Sequence, residues 1–268
     1  MTFIRLIAAA PTWMWLTLVC LSAPAVHAAD TLSATTNAPF DYAEPRVLTA
    51  TLYEMGSDRK KILFTFKRTA TRVGDTVNVE RQFVRPDGSV AAVENARYDG
   101  DRLVSFQMKE FQAKVSGAVE IAPDPKKPGQ SQLTICYGSG LEPKKGDTQK
   151  LQPDTVVDDT VYPYMLMHWD ALMQGDSVKF RFVSLEWERT FMFRFVKTGE
   201  TQMNGRTVEQ IKMEPTNYFV ARLVDPLIFN VEKDAPHHIV SYIGRTTPRI
   251  KKGNSWKYLD AETVFDWK

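Results

Sequence analysis

The chain has almost no cysteine and almost no histidine. Of its 268 residues, two are Cys and four are His. Cys20 lies inside an apolar N-terminal run, which leaves Cys136 alone in the remainder. One thiol forms no internal disulfide, so the fold must rest on its apolar core. Cys136 sits in a strand-like apolar run at 133–137 with no base nearby in sequence. It reads as a small buried hydrophobe, not a nucleophile. Metal chemistry is thin for the same reason. A helical zinc pair needs His at i and i+4, and Leu172 stands four residues after His168. His237 and His238 are adjacent on an expected strand and point to opposite faces. No metal site is therefore expected. A Gly-x-Ser-x-Gly elbow, a phosphate loop and a dinucleotide glycine set are all missing, so no cofactor is expected either. The formal net charge is only +2, which leaves no electrostatic footprint for nucleic acid. The pairs Lys60-Lys61, Lys126-Lys127, Lys144-Lys145 and Lys251-Lys252 fall in loop-like stretches and read as solvated surface.

What is present begins with an export signal. Arg5 gives a basic start, residues 6–23 are apolar apart from small hydroxyls, and Val26-His27-Ala28 offers small residues at −3 and −1. That is the layout of a secretory signal peptide cleaved after Ala28, which places the product in the periplasm or outside the cell. Pro11 and Pro24 favour cleavage over an uncleaved anchor, and Val19 is too bulky for lipidation of Cys20. No second apolar run follows, so no membrane span is expected after cleavage.

Residues 29–45, rich in Thr, Ala, Asn and Pro, read as a flexible leader. From residue 46 to 268 one β domain is expected. Gly74-Asp75, Pro86-Asp87-Gly88 and Asp99-Gly100 recur about a dozen residues apart, as turns between consecutive antiparallel hairpins do. Ile62, Phe64 and Phe66 alternate with Leu63, Thr65 and Lys67, and Val77, Val79 and Phe83 share one parity. Such alternation means a sheet covered on one face. Strands are predicted near 47–55, 61–72, 76–85, 89–98, 102–111, 115–122 and 132–138. Residues 139–157 lack periodicity and read as a long surface excursion. Later strands are predicted at 217–224, 227–232, 238–245 and 261–267, with a hairpin turning at Asn204-Gly205.

One helix is predicted near 160–174. Val161, Tyr164, Met165, His168, Trp169, Leu172 and Met173 share a stripe at helical spacing, and Gly175 suits its end. Asp158 and Asp159 precede it and read as charges on its N-terminus. The fold class that follows is mainly β: a strongly curved antiparallel sheet or half-open barrel enclosing one amphipathic helix. Tyr164, Met165, His168 and Trp169 on that helix would face Phe180, Phe182, Phe191 and Phe193 on the next hairpin. This apolar, methionine-bearing interface is the candidate ligand-binding surface. Glu186 and Glu188 flank Trp187 with the spacing of paired carboxylates, but a turn-proximal Glu-Trp-Glu-Arg reads as a wetted strand edge with a packed Trp, since no cleft for glycosidase chemistry is evident.

The order Asp158-Asp159, helix, Phe-rich hairpin, Met-Asn-Gly-Arg turn, then Pro226-Leu-Ile-Phe-Asn-Val231 and His238-Ile-Val-Ser-Tyr-Ile-Gly244 resembles a poorly characterised group of bacterial periplasmic β proteins. That group is similar in fold to the outer-membrane lipoprotein carriers of the Lol system. The resemblance spans roughly residues 155–250 and implies a half-closed barrel with a helical plug, sometimes used to hold acyl chains. The expected function is thus non-enzymatic binding of an apolar small molecule or envelope lipid. The alternative is a structural module contacting another envelope protein, and a hydrolase using Glu186, Glu188 or His168 ranks last.

Overall fold

The computed structural model describes residues 40–142 and 146–267. The expected signal peptide at 1–28 and most of the expected leader lie outside the described residues. The first half is a meander of β1 (Val47–Glu54), β2 (Ile62–Val73), β3 (Thr76–Val84), β4 (Val90–Asp99), β5 (Arg102–Glu110), β6 (Val115–Pro123), β7 (Ser131–Ser139) and β8 (Asp147–Lys150). A two-residue strand, β9 (Thr155–Val156), then a 3-10 turn (Asp158–Thr160) lead into helices α1 (Val161–Met167) and α2 (Trp169–Met173). Next come β10 (Val178–Ser184), β11 (Arg189–Met203), β12 (Arg206–Pro215), a single helical turn α3 (Tyr218–Ala221), β13 (Leu227–Glu232), β14 (Ile239–Lys252) and β15 (Ser255–Asp266).

All fifteen strands belong to one sheet, in the order β8-β7-β6-β5-β4-β3-β2-β1-β15-β14-β13-β12-β11-β10-β9. Every pairing is antiparallel except the short β9–β10 contact. The two edge strands do not pair with each other, so the sheet is not closed into a barrel. It is nevertheless forced to curl. β8 and β9 are its opposite edges, yet only residues 151–154 separate them in the chain. Those residues reach about 14 Å at most, whereas fifteen strands laid flat would span roughly 65 Å. Leu151 N–H still bonds Ser131 O at 3.0 Å on one edge, and Arg181 N–H bonds Asp154 O at 2.8 Å on the other.

The seam between the edges is sealed by side chains. Val157, Val183, Leu151 and Leu185 pack into the cluster formed by Val119, Leu133 and Ile135. Gly117 on β6 is part of that seal: a Cβ there would sit 3.0 Å from Leu185 and 3.1 Å from Tyr137. Beside it, Tyr137 N–H donates to Glu188 Oε1 at 3.0 Å. The expected alternation is observed at Phe64, Phe66, Val77, Val79 and Phe83, all buried on the concave face, whereas Ile62 at the start of β2 is exposed. The Asn204-Gly205 turn has both residues at positive φ (52° and 75°) and joins Met203 to its partner Arg206, as a two-residue hairpin requires.

Four expectations change. The single helix at 160–174 is two short helices broken at His168, whose φ of −114° and ψ of 19° are not helical. His168 Nδ1 donates to Tyr164 O at 2.9 Å, taking the carbonyl an unbroken helix would offer to the backbone N–H of residue 168. That N–H turns to Met165 O at 3.2 Å. Val161, Met165, Trp169 and Leu172 of the stripe are buried, as expected, against the second half of the sheet, and Tyr164, His168 and Met173 are half-buried. The predicted strand 217–224 is a helical turn instead. Asn217 Oδ1 caps it by accepting from Phe219 N–H at 2.8 Å and Val220 N–H at 3.3 Å. The excursion 139–157 supplies both sheet edges. The last part of the presumed leader is packed: Tyr42 is buried and stacks on Tyr98 at 4.0 Å.

The core predicts its own mutational contrast. Phe195 is wholly buried between α1–α2 and the sheet, so Phe195→Ala should cost about 3–5 kcal/mol in urea unfolding. Leu223, 60% exposed, should cost under about 0.5 kcal/mol as Leu223→Ala. Similar losses at both sites would contradict this packing.

Candidate functional site

Two adjoining cavities lie within the curl of the sheet. The first, about 220 Å³, has walls of Leu48, Leu52, Phe66, Phe83, Phe229, Ile239 and Phe265, with Trp267 and Tyr162 beside them. The second, about 420 Å³, is bounded by Val183, Leu185, Trp187, Phe191, Phe193, Val220 and Leu223. Asp158, Phe182, Met213, Leu227, Tyr242, Arg245, Thr246 and Thr247 line both, so they form a shared wall.

The shared wall owes its polar groups to an irregularity in β14. Pairing with β15 slips between Thr246 and Ile250, where Pro248 has no N–H to give the ladder. Around this slip Arg245, Thr246, Thr247 and Arg249 all line the interior. Thr247 Oγ1 donates to Glu94 Oε1 on β4, and Arg249 N–H donates to Glu110 Oε1 on β5 at 2.6 Å. β4 and β14 are five positions apart in the sheet, about 24 Å along a flat one. These hydrogen bonds therefore cross the interior.

Glu94 is almost wholly buried and pairs with Arg81, which also approaches Asp159 Oδ1 at 3.6 Å. Tyr98 OH donates to Asp159 Oδ2 at 2.5 Å. Arg68 donates to the carbonyls of Pro45 and Tyr42 at 2.5 and 2.6 Å. Arg249 reaches the hydroxyl of Tyr258 at 2.7 Å, and that of Tyr137, and lies 3.8 Å from Glu186. Burial raises the Glu110 carboxyl, partly countered by the Arg249 N–H.

Asp158 differs from its neighbours. Its side chain exposes surface, but that surface faces the interior, since it lines both cavities. Enclosure pushes its pKa up to about 7, with Glu94 and Asp159 adding repulsion and Arg81 opposing them. Asp158 and Asp159 do stand in the helical turn that opens into α1, as expected, and each has a further role: Asp159 braces the interior and Asp158 faces its space.

Of the expected ligand-binding residues, Phe182 lines both cavities, and Phe191 and Phe193 line the second. Tyr164, Met165, His168, Trp169 and Phe180 line neither. Met165 and Phe180 are fully buried, Trp169 stacks on His237 at 4.4 Å, and Tyr164 lies 4.4 Å from His168. The interface between helix and sheet is a packed core, and the open space lies elsewhere in the curl. Glu186 and Glu188 do not converge. Glu186 accepts from Tyr258 OH at 2.5 Å, while Glu188 holds the Tyr137 N–H. Cys136 is half-buried, with its thiol 3.7 Å from Ala118 O and its pKa raised by burial.

The polar residues of the interior escaped the sequence reading, although the signal was present. Arg68 continues the parity of Phe64 and Phe66, Arg81 falls between Val79 and Phe83, and Glu110 follows Phe106 and Met108. A charged residue at an apolar parity position marks a polar group turned inward. Among the described residues, no group of three or more His, Cys, Asp or Glu is placed to hold a metal. Among them, too, no helix is long and apolar enough to cross a membrane.

No family model matches the chain, and no curated protein matches it. A solved structure, a beta-barrel-like protein of domain of unknown function DUF1849 from Brucella abortus, is similar over 82% of this chain and 92% of that one. Its identity is 9% and its TM-score 0.38, a likeness too low to bear on the site.

Asp158 makes stability depend on pH in a defined direction. Between about pH 4 and pH 7 the folded protein keeps a proton that the unfolded chain, near the usual 3.8, has released. Rising pH therefore lowers stability across that window and adds no further loss above it. Asp158→Asn should match the parent near pH 3 and exceed it at pH 8, by about 1 kcal/mol once screening within the cavity is allowed for. Urea unfolding at both pH values measures the gap, and an equal gap at each would contradict the assignment.

Proposed function

We propose that the chain is an exported, non-enzymatic protein that holds an apolar ligand, an envelope lipid in particular, within the curl of its sheet. The layout of residues 1–28 supports export. The observation that carries the binding reading is the pair of adjoining cavities with apolar walls, the larger in the range of small-molecule sites, roughly 300–1,000 Å³. Holding an acyl chain is also the role that the resemblance to Lol-like proteins implies. The binding surface moves from the helix–sheet interface to Phe182, Phe191 and Phe193 with the walls around them.

A second reading, a module that contacts another envelope component, draws support from α3. Tyr218 and Phe219 are 68% and 76% exposed there, beside Val220 and Leu223 at the second cavity. Exposed aromatic residues clustered on one turn favour contact with a partner.

Mass spectrometry of organic extracts from the protein, purified without detergent from its native envelope, tests the first reading. A single lipid class near one molecule per chain is expected. A ligand-free preparation that also fails to take up a lipid probe would overturn it, and crosslinking to one dominant protein in cells would favour the second.

A further inference from the structure

Arg245 stands apart from the other interior arginines. Arg68 is held by two carbonyls, Arg81 by Glu94 and Asp159, and Arg249 by two tyrosine hydroxyls, with Glu110 and Glu186 near it. Arg245 has five side-chain N–H donors, and none finds an acceptor among the described residues. Its Nε is buried without a hydrogen-bond partner. Its guanidinium lies over the face of Tyr258, 4.7 Å from the ring centre. Arg249 lies 4.5 Å from the centre of the same ring. Two guanidiniums thus share one aromatic ring; Arg249 lies within ion-pair distance of Glu110 and Glu186, while Arg245, with Asp260 opposite it on β15, makes no ion pair among the described residues.

The location is as informative as the lack of partners. Arg245 lines both cavities, on the wall between the apolar space of the first and the space of the second. Met213, Leu227 and Phe182 flank it there. A guanidinium with unused donors on this mixed wall, between apolar spaces, matches the forked geometry of an anion. Leaving the buried Nε–H unmet is costly, and an anion would meet it together with a second donor of the fork. Asp158 faces the same wall, but its carboxyl makes no ion pair with Arg245 and its pKa is raised toward neutrality.

We propose that Arg245 is the head-group receptor of the cavity, and that the ligand is an amphiphile with one anionic head, carboxylate or phosphate, on an apolar chain. This deepens the binding reading above and rests on it. The head would sit at the shared wall against Arg245, and the chain would extend along the apolar walls of Leu48, Leu52, Phe66, Phe229 and Phe265. Tyr258 would hold the guanidinium flat for this contact.

Titration of the intrinsic tryptophan fluorescence tests the proposal, since Trp267 lines the first cavity and Trp187 the second. Delipidated protein is titrated with dodecanoate, dodecyl phosphate and dodecanol, which share a chain and differ in head. At least one anionic ligand is expected to bind tenfold or more tightly than dodecanol. Arg245→Gln should erase most of that preference while leaving the dodecanol affinity unchanged. Tighter binding of dodecanoate identifies a carboxylate head, and of dodecyl phosphate a phosphate head. Equal affinity for all three, or an anion preference that survives Arg245→Gln, overturns the head-group assignment while the apolar cavity stands. Failure of all three to bind removes both readings. Arg245 has no hydrogen-bonded partner to lose, so the variant should fold, and an unchanged thermal midpoint confirms it.

Discussion

The structure depends on a polar brace that crosses its interior. Asp159, Arg81 and Glu94 form a chain of charges, tied to Tyr98 at one end and to Thr247 at the other. A second link joins Arg249 to Glu110. Arg81, Glu94 and Glu110 come from the neighbouring strands β3, β4 and β5, whereas Thr247 and Arg249 come from β14, five strands from β4 in the sheet order. A fifteen-stranded sheet with one apolar face must curl to cover it. Apolar contact alone sets no particular curvature. Directional bonds between named atoms on opposite walls do: Arg81 on the neighbouring strand meets the charge of Glu94, and Thr247 and Arg249 on β14 give Glu94 and Glu110 hydrogen bonds that a flatter sheet would leave unmade.

The brace also explains why the interior keeps open space. Side chains at its level must be polar and must meet head-on, so they hold the walls apart instead of interdigitating. Where the second half of the sheet lies under α1 and α2 the core is filled: Met165, Leu172, Phe180, Phe195 and Ile211 are inaccessible. Around the brace, Asp158 and Arg245 face unfilled volume. Closure by brace and by seam, without pairing of the edge strands, leaves the wall free to carry an irregular strand such as β14.

Local rules made much of this legible. Turn glycines and the alternation of Phe64, Phe66, Val77 and Val79 placed the meander, and helical spacing placed the buried stripe from Val161 to Leu172. The breaks were not legible, because each comes from one side chain overriding a periodic pattern. His168 takes a carbonyl from its own helix, and Asn217 turns a β-rich run into a helical turn. The site was missed for a different reason. Its residues lie on strands with high apolar content, and attention to Phe and Met drew the cavity toward the helix. The inward parity of Arg81 and Glu110 could be read in advance. The slip at Thr246 to Ile250 that brings Arg245 and Arg249 inside could not, since it depends on pairing with β15.

The most direct measurement is a double-mutant cycle between the two halves of the brace, using Glu94→Gln, Thr247→Val and the pair together. Unfolding free energies of the four proteins give the coupling between β4 and β14. If the interior is braced as described, the coupling should reach about 1 kcal/mol or more. Strict additivity, within about 0.3 kcal/mol, would mean that the two walls do not hold each other, and the account of the curl would fail.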